Sequence, residues 1–282
     1  MADLDGEWQV AKAKRGRAPR GVGIPGCQAA GKHSEELREV PADPGAVART
    51  AERVREHAES LRCSSYWPAV LEAVQEGLQA TPASASSVPE GAQDGSARLL
   101  CLGIGSAEAS QSSAWQLALA WLLAEACGLA ERRWADPQMC ATDRAVGADF
   151  GFVTLDEDLS LAALPHGRPL LLFMPHCDRS LYEAALGETA KDSWPSLADV
   201  VLLGNSFKVY QERDELGVVT SGPGAPMPGS VLQRLYPYVV ERVLPSFKPC
   251  PEAFNDTSLM MFPVHRQQRA ASAEDGVEGD KK

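Results

Sequence analysis

The stretch RPLLLFMPHCDRSLYE, residues 168–183, joins a continuous apolar run to an abrupt polar turn and a helical segment. Every residue of 170–174 is large and apolar, so a strand there must bury side chains on both of its faces. The runs RLLCLGIG at 98–105 and DVVLLGNSF at 199–207 have the same character, and helical segments lie between them. This alternation predicts an α/β fold: a Rossmann-like, mainly parallel sheet with helices on both faces.

Weaker strand and helix signals complete the predicted domain. RRWA at 132–135 and FGFVTL at 150–155 are further strand candidates, which gives a sheet of about five strands. The segment 111–127 is rich in strong helix formers and ends at Gly128, a common stop signal. Because this segment is apolar on almost every side, we expect a deeply packed helix whose Trp115 and Trp121 belong to the core.

Composition divides the rest of the chain. The N-terminal part is rich in Gly, Pro, Ala and charge and carries the basic cluster KAKRGRAPR at 12–20. Apolar residues then recur at helical spacing before a Ser/Pro/Gly-rich stretch. The predicted organisation is a disordered basic arm at 1–48, packing helices at 49–80, a linker at 81–97, the α/β domain at 98–265 and a disordered tail at 266–282.

Charge and cysteine content limit the classes of function. With 27 basic and 38 acidic residues the formal net charge is −11, which argues against broad binding of nucleic acid or anionic lipid. The longest apolar stretch, 117–124, is too short to span a bilayer, and the acidic start MADLDGEW is unlike an export signal. Seven cysteines without a C-x-x-C pair favour reduced thiols and give no support to a zinc site. We therefore expect a cytoplasmic protein that is also nuclear if the basic cluster acts as an import element; an RNA-contact element and a merely solvated arm are the alternative interpretations of this cluster.

A small-residue turn follows the first strong strand, at Gly103, Ile104, Gly105 and Ser106. In open parallel sheets ligands bind at the carboxyl ends of the strands, and the N–H groups of such a turn are able to hold a phosphate, a carboxylate or a ribose hydroxyl. Position 108 is Glu, where a dinucleotide fingerprint needs its third glycine. The turn is closer to the G-x-G-x-G turn of nucleoside-binding methyltransferases, and tight strand-to-helix packing is the alternative reason for its glycines.

Polar residues also follow two other strands. Asp136 ends the second strand, where an acid grips ribose hydroxyls in many nucleoside-binding folds; formation of the turn with Pro137 is the alternative. Asp143 is interpreted as the cap of a local helix. Asn205 and Ser206 end the last strong strand, where they are candidates for hydrogen bonds to a polar ligand or to loop carbonyls.

The strand that ends at Met174 delivers Pro175, His176, Cys177 and Asp178 to the same edge of the predicted sheet. His176 is a candidate acid, base or metal ligand, and Cys177 is a candidate nucleophile. Neighbouring residues of an extended chain point to opposite sides, so these two side chains are not expected to act as one pair. Asp178 is interpreted as a helix cap.

The pair Cys250-Pro251, in FKPCPEAF, is of the type found where a thiolate binds haem iron. Such a site needs a second ligand, and His265 is the nearest later histidine. The candidate cofactors are therefore a nucleoside of the S-adenosylmethionine type, held by Gly103, Gly105, Ser106 and Asp136, and haem.

Six segments, taken in order, resemble the sensitivity-to-red-light-reduced (SRR-like) family over about residues 95–262: LLCLGIGS, SSAWQLALAWLL, DPQMCATD, LLLFMPHCD, VVLLGNSF and FNDTSLMMF. The resemblance implies an intracellular regulatory protein connected with circadian clock gene expression and, in some members, with regulation of haem biosynthesis. This chain departs from the family pattern at Met139, where an aromatic residue is expected after DPQ. The shared positions implied by the resemblance are Gly103, Gly105, Gln116, Asp136, Pro137, Gln138, Asp143, Pro175, His176, Cys177, Gly204, Asn205, Ser206 and Phe207.

Three functions stay open on the sequence alone. The first is a regulatory protein that uses the Rossmann-like scaffold to engage protein partners. The second is a transferase in which 103–107 and Asp136 hold a nucleoside cofactor and His176 or Asn205 faces the substrate. The third is direct haem sensing through Cys250.

Overall fold

The computed structural model describes residues 41–85, 97–155, 168–190, 194–217 and 228–263. The predicted tail at 266–282, His265 and most of the predicted arm lie outside these ranges. The first helix begins at Pro44 and not at residue 49. Asp43 fixes this earlier start because its carboxylate accepts the N–H groups of Gly45 and Ala46, and Pro44 suits the first helical position.

The elements alternate between helix and strand over most of the described chain. In order they are α1 (Pro44–Arg62), α2 (Tyr66–Gln79), α3 (Pro82–Ala85), β1 (Arg98–Leu102), α4 (Gln111–Ala126), β2 (Glu131–Ala135), α5 (Ala141–Asp149), β3 (Val153–Thr154), β4 (Leu170–Met174), α6 (Arg179–Ala190), a 3-10 helix (Trp194–Asp199), β5 (Val200–Asn205), α7 (Phe207–Glu215), α8 (Val231–Leu235), β6 (Val240–Val243), α9 (Pro251–Phe254) and β7 (Thr257–Met261). The short helix α3 occupies the start of the predicted linker.

The strands of the described ranges form one seven-stranded sheet in the order β3-β2-β1-β4-β5-β7-β6. Strands β1 to β5 pair in parallel, and β7 runs antiparallel to both β5 and β6. The prediction of a Rossmann-like, mainly parallel α/β sheet is confirmed, and all five predicted strands are present. The hairpin-like pair β6 and β7 extends the sheet beyond that prediction.

Both faces of the central strands are buried, as their continuous apolar runs predict. Leu99 and Cys101 of β1 belong to a core shared with α1, α2 and α4, whereas Leu100 and Leu102 belong to the opposite core with α6 and α8. Helix α4 is buried on nearly every side, and Trp115 is 5% exposed. Helices therefore cover the sheet on both sides.

The N-terminal helices are part of this covering layer. Helix α1 contacts α4 and α5, and α2 contacts β4, β5 and β7. The approach of α2 is so close that a Cβ added at Gly77 would lie 3.0 Å from Cγ1 of Val201. The predicted packing helices thus pack directly on the α/β sheet. Across the described ranges, no helix combines the length and apolarity needed to cross a bilayer.

Candidate functional site

The strand order reverses between β1 and β4. The chain moves from β1 outward to β2 and β3 and then returns to the other side of β1 to form β4. Ligands of open α/β sheets bind in the crevice at such a reversal, outside the carboxyl ends of the strands. Four loop segments meet at this edge, and we call them together the carboxyl rim: 103–108, 136–140, 175–178 and 204–207.

Asp136 ties the ends of β1 and β2 together. Its Oδ2 accepts the N–H of Gly105 at 2.7 Å, and its Oδ1 accepts the N–H of Gln138 at 2.7 Å. The second bond closes an Asx-type turn, which was the alternative to a ribose contact. Each carboxylate oxygen still has a lone pair for a further donor.

Asp143 makes a similar connection from α5. Its Oδ1 accepts the N–H of Glu108 at 2.9 Å, and its Oδ2 accepts the N–H of Cys140, the N-cap residue of α5, at 3.0 Å. The predicted helix cap is present, and Asp143 is fully buried. Two carboxylates thus occupy N–H groups that a phosphate would need, so this turn is unsuited to a pyrophosphate.

The two glycines of the turn are required by local packing. Gly103 has φ 69° and Gly105 has φ 80°, a backbone region that favours glycine. A Cβ at Gly103 would overlap the sulfur of Cys177, and one at Gly105 would lie 2.9 Å from Oγ of Ser113. The G-x-G pattern is therefore explained by tight packing, whatever else the turn binds.

Cys177 lies in the crevice between β1 and β4. The residue is 6% exposed, and its Sγ donates to the carbonyl of Leu102 at 3.3 Å. Burial, reinforced by the charges of Asp136 and Asp178, raises the pKa of the thiol far above its ordinary value. These are the properties of a packing thiol and not of an activated nucleophile.

His176 lies beside Cys177 but is exposed, and its φ of 54° places it in the left-handed region. The two side chains separate as predicted, although they do so in a turn and not in an extended strand. Asn205 holds this turn: its Oδ1 accepts the N–H of His176 at 2.8 Å, and its Nδ2 donates to the carbonyl of Cys177 at 3.1 Å. Asn205 therefore satisfies loop groups, one of its two predicted roles.

Two tyrosines complete the hydrogen-bond network around Asn205. The hydroxyl of Tyr182 donates to the carbonyl of Met174 and accepts the N–H of Asn205 at 2.7 Å. The hydroxyl of Tyr210 accepts from Nδ2 of Asn205 at 2.9 Å and lies 3.4 Å from the carbonyl oxygen of Cys177. In the sequence Tyr182 is marked only as part of a helical segment, and this helical position gives no signal of its hydrogen bonds.

A buried ion pair supports the same turn from α6. Arg179 directly follows the rim; its guanidinium bonds the carboxylate of Asp214 at 2.7 and 2.9 Å and lies 5.8 Å from the ring centre of Tyr210. The hydroxyl of Tyr236 lies 3.0 Å from the same guanidinium. Arg179 carries no signal of this role in the sequence, because one arginine beside Asp178 resembles a solvated helix start.

Several positions implied by the family resemblance serve the scaffold. Ser206 caps α7 by accepting the N–H of Val209 at 3.1 Å, and Phe207 is buried beside it. Gln116 is buried in α4 and donates to the carbonyl of Ala253 at 3.0 Å. These residues fix the elements that carry the rim.

Cys250 does not fit a haem ligand. Its thiol is 3.6 Å from a carboxylate oxygen of Glu252, and burial, together with that contact, raises the pKa of the thiol. A metal-binding cysteine must be deprotonated, so both effects oppose ligation. Among the described residues, no group of three or more His, Cys, Asp or Glu side chains is arranged to hold a metal ion.

Comparison with known proteins identifies the family. The family model of the SRR1 domain matches residues 70–261. The chain is 29% identical to the mouse SRR1-like protein over 224 residues, which cover 72% of this chain and 83% of the mouse protein. It is 27% identical to the Arabidopsis thaliana protein SENSITIVITY TO RED LIGHT REDUCED 1 over 223 residues, 74% of this chain and 75% of that relative. No solved structure matches the chain. With the SRR1 domain matched over most of the described residues, the chain belongs to the SRR1 family.

Proposed function

We propose that this protein is a regulator of circadian clock gene expression and of haem biosynthesis that acts through protein partners engaged at its carboxyl rim. Family membership and the red-light response named in the Arabidopsis relative support a regulatory role. The observation that carries the proposal is the hydrogen bonding within the rim. Asp136, Asp143 and Asn205 already bond the surrounding backbone, so the rim is a hydrogen-bonded platform and not an open set of reactive groups.

The exposed groups on this platform suit recognition of a partner. His176 and Asp178 face solvent, while Cys177 and Arg179 between and beside them are buried. A loop held by rigid strands presents such side chains with little loss of entropy on binding. The proposal places the protein in the cytoplasm, with entry to the nucleus through the basic cluster at 12–20.

Deletion and restoration in cells test this proposal. Cells without the chain are expected to show an altered period of a clock reporter and an altered haem content, and the full chain restores both. Imaging of the tagged chain, with KAKRGRAPR intact or with its basic residues replaced by glutamine, checks the compartment in the same cells. Normal period and normal haem content after deletion would reject the proposal.

A second candidate function, a transferase with a nucleoside cofactor, is favoured by the strand order. A sheet ordered β3-β2-β1-β4-β5-β7-β6 with β7 alone reversed is the arrangement found in methyltransferases that use S-adenosylmethionine. A glycine turn after β1 and an acid after β2 stand at the expected places. This support is a fold-level analogy.

The rim fits a nucleoside better than a nucleotide. The free lone pairs of the Asp136 carboxylate suit ribose hydroxyls, whereas Asp143 and Asp136 hold the N–H groups that phosphates need. When bound, S-adenosylmethionine supplies an electrophilic methyl group. In this chain Asp136 would orient the ribose, and the exposed imidazole of His176 would face the substrate.

Thermal denaturation with ligands tests the second candidate. S-adenosylmethionine or its demethylated product is expected to stabilise the full chain by about 2.7 kcal/mol at a hundredfold excess over its dissociation constant. ATP serves as the phosphate-bearing control and is expected to give no shift. A flat response to all of these compounds at millimolar concentration would remove this candidate and leave the regulatory proposal in place.

A further inference from the structure

The crevice at the reversal of strand order is filled by a side chain of the protein itself. The sulfur of Cys177 bonds the last carbonyl of β1, at Leu102, and lies so close to Gly103 that no Cβ fits there. This is the place where ligands of open α/β sheets bind. Anything that enters the crevice must first displace the Cys177 sulfur.

The side chain of Asn205 bonds the turn 175–178 that carries this cysteine. Nδ2 and Oδ1 of Asn205 bond three groups: the N–H of His176, the carbonyl of Cys177 and the hydroxyl of Tyr210. Asn205 stands at the end of β5, a rigid central strand. The turn is thus bonded to the sheet through a residue 29 positions away from His176.

The backbone conformation of the turn is unfavourable by itself. His176 has φ 54°, and a residue with a Cβ is less stable there than in the common backbone regions. The bonds from Asn205 offset that cost. Breaking these bonds allows the backbone of His176 to relax, so we expect residues 175–178 to move together.

We propose that the turn 175–178 is a latch: Asn205 holds it closed with the Cys177 sulfur in the crevice, and its release clears the crevice between β1 and β4. The latch controls access to the carboxyl rim. Only the identity of the entering ligand rests on the proposed nucleoside function; the motion itself does not.

Alkylation of native cysteines, read peptide by peptide by mass spectrometry, tests the latch in the full chain. Cys177 reports opening of the turn. Cys101 lies wholly buried in the middle of β1 and reports global unfolding in the same sample. The informative variant is Asn205→Asp, which keeps the size and the acceptor but removes the donor to Cys177 and Tyr210. Asn255→Asp makes the same chemical change at an exposed turn position and is the matched control.

In the wild type Cys177 is expected to be labelled faster than Cys101, because opening of the turn needs less free energy than global unfolding. Loss of the bonds from Asn205 is expected to increase the labelling rate of Cys177 about tenfold and to leave it above the rate of Cys101. Asn255→Asp is expected to change neither rate. Tyr210→Phe removes only one of the bonds to Asn205 and gives a smaller increase at Cys177, which keeps the test decisive if Asn205→Asp fails to fold. Equal labelling rates of Cys177 and Cys101 in the wild type, or no change at Cys177 in either variant, would overturn the latch.

S-adenosylmethionine added to the wild-type chain separates the two proposals. A nucleoside that enters the crevice slows the labelling of Cys101 only by stabilising the native chain, and it changes the labelling of Cys177 by a different factor because it displaces the Cys177 sulfur. If Asn205→Asp speeds labelling but the nucleoside has no effect, the latch stands and the nucleoside function fails.

Discussion

The carboxylate of Asp136 accepts the backbone N–H of Gly105 at 2.7 Å, across 31 positions of the chain. This bond joins the carboxyl ends of the neighbouring strands β2 and β1. The acid that is placed to bind a ribose is therefore also a structural tie, and its replacement must affect stability as well as binding.

Asp136→Asn is expected to lower the free energy of unfolding by about 1 to 3 kcal/mol, because it weakens two hydrogen bonds to a charged acceptor. Urea denaturation measures the change. Asp149→Asn, at an exposed carboxylate at the end of α5, is the control and should change stability by less than about 0.5 kcal/mol. Equal stabilities of the two variants would show that the tie contributes nothing.

The difference in stability loss between Gly103→Ala and Gly128→Ala measures the crowding of Gly103 by Cys177. Both glycines have positive φ, at 69° and 64°, but a Cβ at Gly128 has open space around it. Gly128→Ala is expected to cost about 1 kcal/mol from backbone strain alone, and Gly103→Ala about 3 kcal/mol or more. Thermal or urea denaturation measures both, and a similar cost at the two sites would contradict the crowding at Gly103.

Tyr182→Phe and Tyr66→Phe form a second matched pair. Both tyrosines are buried, but the Tyr182 hydroxyl bonds Met174 and Asn205, whereas the Tyr66 hydroxyl has no hydrogen-bond partner among the described residues. Tyr182→Phe is expected to cost about 1 to 3 kcal/mol, because it leaves buried polar groups unpaired. Tyr66→Phe should be neutral or stabilising in the same denaturation experiment. A larger loss of stability in Tyr66→Phe than in Tyr182→Phe would refute the hydrogen bonds assigned to Tyr182.

His57 makes stability depend on pH. Its ring stacks on Trp115 with 3.8 Å between centroids, and burial, with repulsion from Arg53, lowers the pKa of His57 from 6.5 to about 4. Between these values the unfolded chain binds a proton that the folded chain excludes. The free energy of unfolding therefore decreases as the pH falls from about 6.5 to about 4, and partial exposure of the ring to solvent reduces the size of this decrease.

His57→Gln removes that titration, so its unfolding free energy should vary less over the same window than that of the wild type. Urea denaturation at a series of pH values gives both slopes. Parallel curves for the two proteins would mean that His57 does not carry this dependence.

The central strands are predictable because their signal is local. Five or six successive apolar residues, as at 170–174, require burial on both faces wherever they occur. Strand β6 has no such signal: Val240–Val243 is short and has two adjacent charged residues between its valines, and β7 takes its strand form from pairing with β5. Edge pairing of this kind depends on tertiary contacts, so the sequence pattern did not reveal it.

The rim is only partly predictable. The placement of Gly105, Asp136, His176 and Asn205 at one edge follows from parallel strands. The bond from Asn205 to His176 does not, because nothing in the sequence marks a histidine for the left-handed region. The burial of Cys177 depends in turn on that conformation.

The central claim, that the carboxyl rim carries the function, is tested most directly by His176→Asn in cells that lack the native chain. Asparagine tolerates the left-handed conformation, so the variant removes the imidazole and preserves the turn. Glu56→Ala, an exposed side chain of α1 outside the rim segments, is the control. The prediction is that His176→Asn keeps the melting temperature of the wild type but fails to restore clock period and haem content, whereas Glu56→Ala restores both. Full restoration by His176→Asn at equal protein abundance would contradict the claim.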